Sequence, residues 1–302
     1  MGNRFEFTVV ASDEQWANER IADGIAEIKR IETLLTTFAD GSETNLINRH
    51  AGVSPVPVSS ETFDLIARSI RISAVTQGAF DITYGSVDKR LWNFDQQMTT
   101  LPDAATAREM VKLIDYRNII LNQQNCTVYL KEKGMRIGFG GIGKGYAAER
   151  AKAMMKAAGV ESGVVNASGD LTAWGHQPNG QPWTIGIANP DQSNELLSRM
   201  SLTDMAVATS GNYEKYVMID GRRYSHTIDP RTGLPVSGIK SVTIITTNAE
   251  IADAMATPVT IMGIIPGLDM INQMNNIEAV IIDDYDRVYT SKNIHLNVPL
   301  YD

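Results

Sequence analysis

The chain has 302 residues with 43% hydrophobic and 21% charged side chains, enough to bury a large core without disulfides or a structural metal. Its one cysteine, Cys126, excludes a disulfide framework and every multi-cysteine zinc or iron–sulfur site. A formal net charge of −8, with no run of Lys or Arg, argues against duplex nucleic acid or an anionic membrane as the main partner.

In chain order, Phe5–Val10 reads as a first strand. Ser12 with Gln15 has capping-box spacing, and Ile21, Ile25, Ile28, Ile31 and Leu35 then recur at helical intervals to about Phe38. A second helix is predicted from Ser60 to Gln77, stopped by Gly78, and a third over Ala104–Ile114. Strands are expected at 118–121, 127–130 and 135–139, followed by a helix from Gly145 to Ala158. Further strands are expected at 163–166, 183–188, 197–202, 216–219 and 241–246. Helices near Glu250 and Gly267 precede a hairpin, 278–282 with 287–290, turned by Asp283 to Asp286. Strands arrive in runs rather than in strict βαβ alternation, which favours α+β over a doubly wound sheet. No repeat, low-complexity tract or linker marks a domain boundary, so one unit over 1–302 is expected. The longest uncharged apolar stretch, Ala254–Gly267, is too short to span a bilayer and holds Pro258 and Pro266. No charged-then-apolar leader precedes Phe5, as in a protein that is not exported or one whose leader lies ahead of this numbering.

Three segments carry chemistry. Gly138-Phe-Gly-Gly-Ile-Gly143-Lys144-Gly145 lies after a predicted strand and before a helix, one residue from a phosphate-binding GxxxxGK[ST] loop. Gly145 stands where Ser or Thr must ligate Mg²⁺, and Asp283, at the end of an apolar strand, is better explained as the first residue of a hairpin turn. A nucleoside triphosphatase is therefore disfavoured. Small residues, a helix N-terminus and Lys144 still suit an anion, although the same stretch also reads as a tight turn with a surface lysine. His226-Thr-Ile-Asp229-Pro230-Arg231-Thr232-Gly233 gathers an imidazole, a carboxylate, a guanidinium and a hydroxyl on one predicted turn. Asp253 and Thr257, at i and i+4 of a predicted helix, put a carboxylate and a hydroxyl on one face, a hard-cation edge or simply an early-helix acid and a packed threonine. Pro258 biases Thr257 away from helical geometry, so a kink is expected there.

Taken in order, these segments resemble the ApbE-type FAD:protein FMN transferases. The matching pieces are Met1-Gly2, Thr37-Phe38, Ser42-Glu43 leading to Leu46-Ile47-Asn48, Gly78-Ala-Phe-Asp81-Ile-Thr83 and Leu91-Trp92. Gly140 to Ala147, Ser168-Gly-Asp170, Thr209 to Tyr213, His226 to Gly233 and Ala252 to Thr257 complete the set. The resemblance implies an α+β fold of mixed sheets with flanking helices and a central FAD cleft. It implies Mg²⁺-dependent transfer of FMN from FAD to a Ser or Thr hydroxyl of a target protein, with release of AMP. Relatives that hydrolyse FAD to FMN and AMP, or that only bind FAD, supply the alternatives. By position, Met1, Phe38, Ala79, Phe80, Asp81, Lys144, Arg150 and Thr227 would contact FAD. Asp253 and Thr257 would hold Mg²⁺ by side chain and Ala147 by its carbonyl. His226 or Asp229 is the local candidate for proton acceptor, with Lys144 neutralising pyrophosphate charge. The resemblance suggests an exported enzyme if a leader was removed and a cytoplasmic one otherwise. The sequence departs from the family at Gly138, where an acid is frequent, at Ser168, where Gly is common, and at Pro258.

Overall fold

The computed structural model describes residues 4–88, 98–189, 192–211 and 216–294. The chain packs as two compact units, one of residues 30–143 with 215–238, the other of residues 2–29, 144–214 and 239–302.

The second of these is built on a seven-stranded sheet. Its order is Phe5–Val10, Ser162–Ala167, Asp170–Trp174, Met205–Gly211, Ile239–Thr246, Ile277–Asp283 and Val288–Thr290, every pair antiparallel. Ile239–Thr246 is buried at every residue, as a strand covered on both faces must be. Helix Ala249–Met262 packs on it and on Met205–Gly211. Ile185 and Ile187 of the ribbon Trp183–Asn189 with Gln192–Leu202 join Val207, Ile245 and Val280 in one apolar cluster. The α+β expectation holds.

Local chemistry sets the ends of the elements. The long helix runs Glu14–Leu35, and its first amides, of Gln15 and Trp16, donate to Asp13 Oδ1 at 2.9 and 3.2 Å. Asp13 rather than Ser12 is therefore the cap, a one-residue correction. Ser162–Ala167 turns into Asp170–Trp174 through Ser168 (φ 54°) and Gly169 (φ 99°), the left-handed pair of a type I′ hairpin. Ser168 bears a side chain at a position that favours glycine, and its hydroxyl donates to the Arg4 carbonyl at 3.0 Å. The final hairpin is turned by Asp283, whose Oδ1 accepts the amides of Tyr285 and Arg287 at 2.8 and 2.9 Å. Helix Ala249–Met262 continues through Pro258 rather than ending there; Ala254 and Val259 on either side are fully buried, and packing holds the helix across the missing N–H.

The other unit holds helices Glu43–Arg49, Ser60–Val75 and Ala104–Val111, a three-stranded sheet ordered Val56–Pro57, Thr127–Leu130, Ile119–Asn122, and the hairpin Tyr216–Ile219 with Arg222–Ser225. Helix Ser60–Val75 ends with Gln77 (φ 52°) and Gly78 (φ 77°) in left-handed geometry, one residue before Ala79. Residues 135–139 form no strand. Met135, Ile137 and Phe139 are buried in alternation, but Ile137 trades both backbone bonds with the Asn48 amide side chain and Gly138 donates to the Ile82 carbonyl. No helix among the described residues is long and apolar enough to cross a membrane.

Candidate functional site

Helix Gly143–Ala157 begins at the glycine loop and meets the first turn of helix Ala249–Met262. A Cβ at Gly145 would lie 2.7 Å from the Ala249 carbonyl carbon and from the Asp253 Cβ, so only glycine permits this approach. The Gly145 amide donates to Asp253 Oδ2 at 2.9 Å, and Glu149 Oε2 accepts the Ala249 amide at 2.9 Å. The Lys144 ammonium donates to Asp170 Oδ2, and Asp170 Oδ1 accepts the Thr209 amide at 3.3 Å. Lys144, Asp170 and Asp253 thus meet at the start of one helix.

The electrostatics there favour a cation. Burial pushes the Asp253 carboxyl up to about 7; the neighbouring Asp170 charge adds to the rise, while Lys144 and the amides of Gly145 and Lys144 oppose it. Burial also raises Asp170, against the ion pair with Lys144 and the Thr209 amide. Two buried carboxylates share one ammonium, an imbalance that a hard divalent ion would correct. Thr257 lies one turn after Asp253, and Ala147 is buried in the second turn of the facing helix. Thr260 back-bonds to the Ala256 carbonyl at 3.0 Å, whereas the Thr257 hydroxyl makes no such bond among the described residues. Among the described residues no group of three or more His, Cys, Asp and Glu gathers that could hold a metal ion; the side-chain donors at hand are the Asp170 and Asp253 carboxylates and the Thr257 hydroxyl, all of them oxygens. That set fits an ion of the Mg²⁺ type. Arg150 is further along the helix, half-exposed and 3.6 Å from Glu27.

In the other unit the glycine loop itself is informative. Gly140 has no neighbour within 4 Å of a would-be Cβ, Gly138 meets only Thr37 Cγ2 at 3.8 Å, and Gly141 only Phe80 Cε2 at 3.6 Å. None of the three has the left-handed φ that demands glycine. Neither packing nor a left-handed backbone accounts for Gly140 and Gly141, and small residues there suit close approach of a ligand to the backbone. Phe38 is 96% exposed on a loop that is firmly held: Asn45 Nδ2 donates to the carbonyls of Thr37 and Ala39 at 2.9 and 2.8 Å, and Ser42 Oγ to that of Thr36 at 2.6 Å. Ala79 and Phe80 are buried. Asp81 accepts the Thr83 amide and hydroxyl at 2.8 and 2.7 Å and the Tyr116 amide at 2.8 Å, yet burial outweighs these donors and keeps its pKa raised.

The predicted turn after Ser225 is present. Asp229 accepts from Arg231 Nε and Nη2, both at 2.9 Å, and from the Arg231 amide at 2.9 Å. Gly233 (φ 75°) lies against the Ala107 backbone, where a side chain would collide. His226 is exposed beside it, and Thr227 is anchored through its amide to Ser225 Oγ at 2.9 Å. Met1, Leu91, Trp92 and Tyr213 lie outside the described residues. Asp170 was not among the candidate ligands or catalytic groups, although an acid directly after a two-residue Ser-Gly turn and before an apolar strand was a readable signal for a carboxylate held in register.

Comparison with known proteins gives the family and the fold. A model of the ApbE family matches residues 1–281. An FAD:protein FMN transferase of Klebsiella pneumoniae (strain 342) is 34% identical over 257 residues, covering 84% of this chain and 79% of that protein. The crystal structure of the ApbE protein of Thermotoga maritima MSB8 matches with a TM-score of 0.85 at 30% identity, over 96% of this chain and 94% of that one. The apo form of the Pseudomonas stutzeri flavinyl transferase ApbE matches with a TM-score of 0.82 at 27% identity, over 97% and 92% of the two chains. This chain belongs to the ApbE family of flavin transferases.

Proposed function

We propose that the chain transfers FMN from FAD to a Ser or Thr hydroxyl of a target protein, requires Mg²⁺, and releases AMP. The observation that carries this reading is the convergence of Lys144, Asp170 and Asp253 at a helix start, a cation-demanding pair of acids beside an ammonium suited to phosphate oxygens. Asp253, Thr257 and the Ala147 carbonyl are the proposed Mg²⁺ donors. When bound, the ion neutralises charge on the pyrophosphate. Met1, Phe38, Ala79, Phe80, Asp81, Lys144, Arg150 and Thr227 are the proposed FAD contacts, with Phe38 offering an open aromatic face.

The target hydroxyl oxygen forms a bond to the FMN phosphorus, the pyrophosphate P–O bond breaks, and AMP leaves with the bridging oxygen. The hydroxyl proton needs an acceptor. Asp229 is engaged on both oxygens by Arg231 and the His226 imidazole is exposed; these two are the proposed acceptors. Lys144 holds the pyrophosphate oxygens during the transfer.

Denaturing mass spectrometry of the purified protein with FAD, Mg²⁺ and a threonine-bearing acceptor peptide tests this. A peptide gain equal to FMN less one water, lost when Mg²⁺ is chelated, is expected. AMP without an adduct marks a pyrophosphatase, and intact bound FAD a binding protein; either replaces the proposal.

A further inference from the structure

Three stretches that stand apart in the sequence meet at one carboxylate. Asp170 opens a strand directly after the left-handed Ser168–Gly169 pair, and the register Ala167↔Asp170 fixes where its side chain emerges. A two-residue loop of this kind allows no slip, because one residue of slip would send the side chain to the opposite face. Asp170 Oδ1 is tied to the Thr209 amide, and Thr209 Oγ1 in turn lies 2.9 Å from Thr243 Oγ1 on the adjoining buried strand. The other oxygen, Oδ2, receives the Lys144 ammonium. A lysine reaches its target on a flexible four-carbon stem, and a point charge of that kind is useful to phosphoryl transfer only where it is held. An ammonium has three donors, so one carboxylate does not exhaust it.

We propose that Asp170 is a positioning residue of the transfer reaction: anchored by the turn and by the Thr209 amide, it holds the Lys144 ammonium where the pyrophosphate oxygens of FAD come to lie. This rests on the flavin-transfer reading above and adds to it a residue that touches neither FAD nor the acceptor. Its hold on the pyrophosphate passes through Lys144.

The test is a double-mutant cycle with Asp170→Asn and Lys144→Ala, joined to lysine-specific acylation of the metal-free protein followed by peptide mapping. Asp170→Asn is expected to lower turnover at saturating FAD and Mg²⁺ by about tenfold or more, with half-saturating FAD moved less than about threefold. In the Lys144→Ala background the same change is expected to move turnover less than about twofold. Labelling of Lys144 is expected to accelerate several-fold in Asp170→Asn and to return toward the wild-type rate in Asp170→Glu. Losses that multiply across the cycle, or labelling that does not change, overturn the proposal. A wild-type protein that neither binds FAD nor turns it over overturns the flavin reading instead, and the labelling result still decides whether Asp170 holds the ammonium.

Discussion

The glycine loop invites a paired perturbation, because two of its glycines are glycine for opposite reasons. At Gly145 a methyl group would sit 2.7 Å from both the Ala249 carbonyl carbon and the Asp253 Cβ. Helices Gly143–Ala157 and Ala249–Met262 must then separate. Overpacking of this kind costs about 1–3 kcal/mol. Separation also strains the bond from the Gly145 amide to the buried Asp253 carboxylate, and a bond to a charged group is worth about 1.5–3 kcal/mol. Gly145→Ala is therefore expected to cost about 3 kcal/mol or more, lowering the unfolding midpoint by roughly 5 °C or more. At Gly140 nothing lies within 4 Å of the new methyl and φ is not left-handed. Gly140→Ala is expected to leave the midpoint unchanged or slightly higher, since a restricted unfolded chain contributes about 0.4–1 kcal/mol. Its effect falls on the ligand: a methyl placed where the backbone must approach FAD is expected to weaken binding by about 1–3 kcal/mol, roughly 5- to 150-fold. Thermal unfolding and quenching of FAD fluorescence, run on both variants, read the two effects separately. A Gly145→Ala protein that melts with wild type, or a Gly140→Ala protein that binds FAD within twofold of it, refutes the corresponding half of the reasoning.

Phe38→Ala removes an exposed ring, so unfolding is expected to shift by less than about 0.5 kcal/mol. FAD affinity is expected to fall about 2- to 12-fold as aromatic stacking is lost, and unchanged affinity in a fluorescence titration removes Phe38 from the flavin contacts. Gly138→Asp restores the acid frequent in the family; with Thr37 Cγ2 3.8 Å from the new Cβ, the protein is expected to melt as wild type and turn over faster. A steep fall in the midpoint, or slower turnover, goes against it. Asp283 titrates with a defined sign. Burial opposes its charge, but the amides of Arg287 and Tyr285 and the Arg287 guanidinium outweigh burial and hold its pKa below the usual carboxylate value. The folded state then binds this proton less tightly than the unfolded chain. The stabilisation is fully present above the unfolded value near ~4 and is lost as pH falls through the lower folded value. Chemical denaturation across the acid range is expected to show a flatter acid limb in Asp283→Asn, and an unchanged limb contradicts the sign.

Elements with their own alternation or periodicity were legible from sequence. Phe5–Val10 and the hairpin at Asp283 came out with nearly their observed bounds, and the long helix was misjudged only at its cap and its last turn. The strands Asp170–Trp174 and Met205–Gly211 were missed because the sheet interior removes the signal. A strand covered on both faces has no polar alternation, and the Ala, Thr and Ser of Met205–Gly211, which let helix Ala249–Met262 pack close, read locally as a small-residue loop. The opposite failure occurs at 135–139, where real alternation is present but the backbone bonds go to the Asn48 side chain and the Ile82 carbonyl. Side-chain pattern reports burial; it does not report the hydrogen-bond partner.

The same limit governs the site. Each motif was readable as a local device, but Lys144 and Asp170 are 26 residues apart and Gly145 and Asp253 are 108 apart. Their meeting is a consequence of sheet register and of one close helix contact, which no local window contains. Gly145 shows how much a failed match can carry. Read against a phosphate-binding loop it is a missing Mg²⁺ ligand; in the structure it is the residue whose lack of a side chain lets a second helix bring Asp253 to the same place. A Ser or Thr hydroxyl at 145 would supply a weak neutral ligand, whereas glycine there admits a buried carboxylate from elsewhere in the chain. A carboxylate oxygen is thus brought to the loop by tertiary packing, and the glycine that disqualifies the loop as a triphosphate site is the condition for that contact.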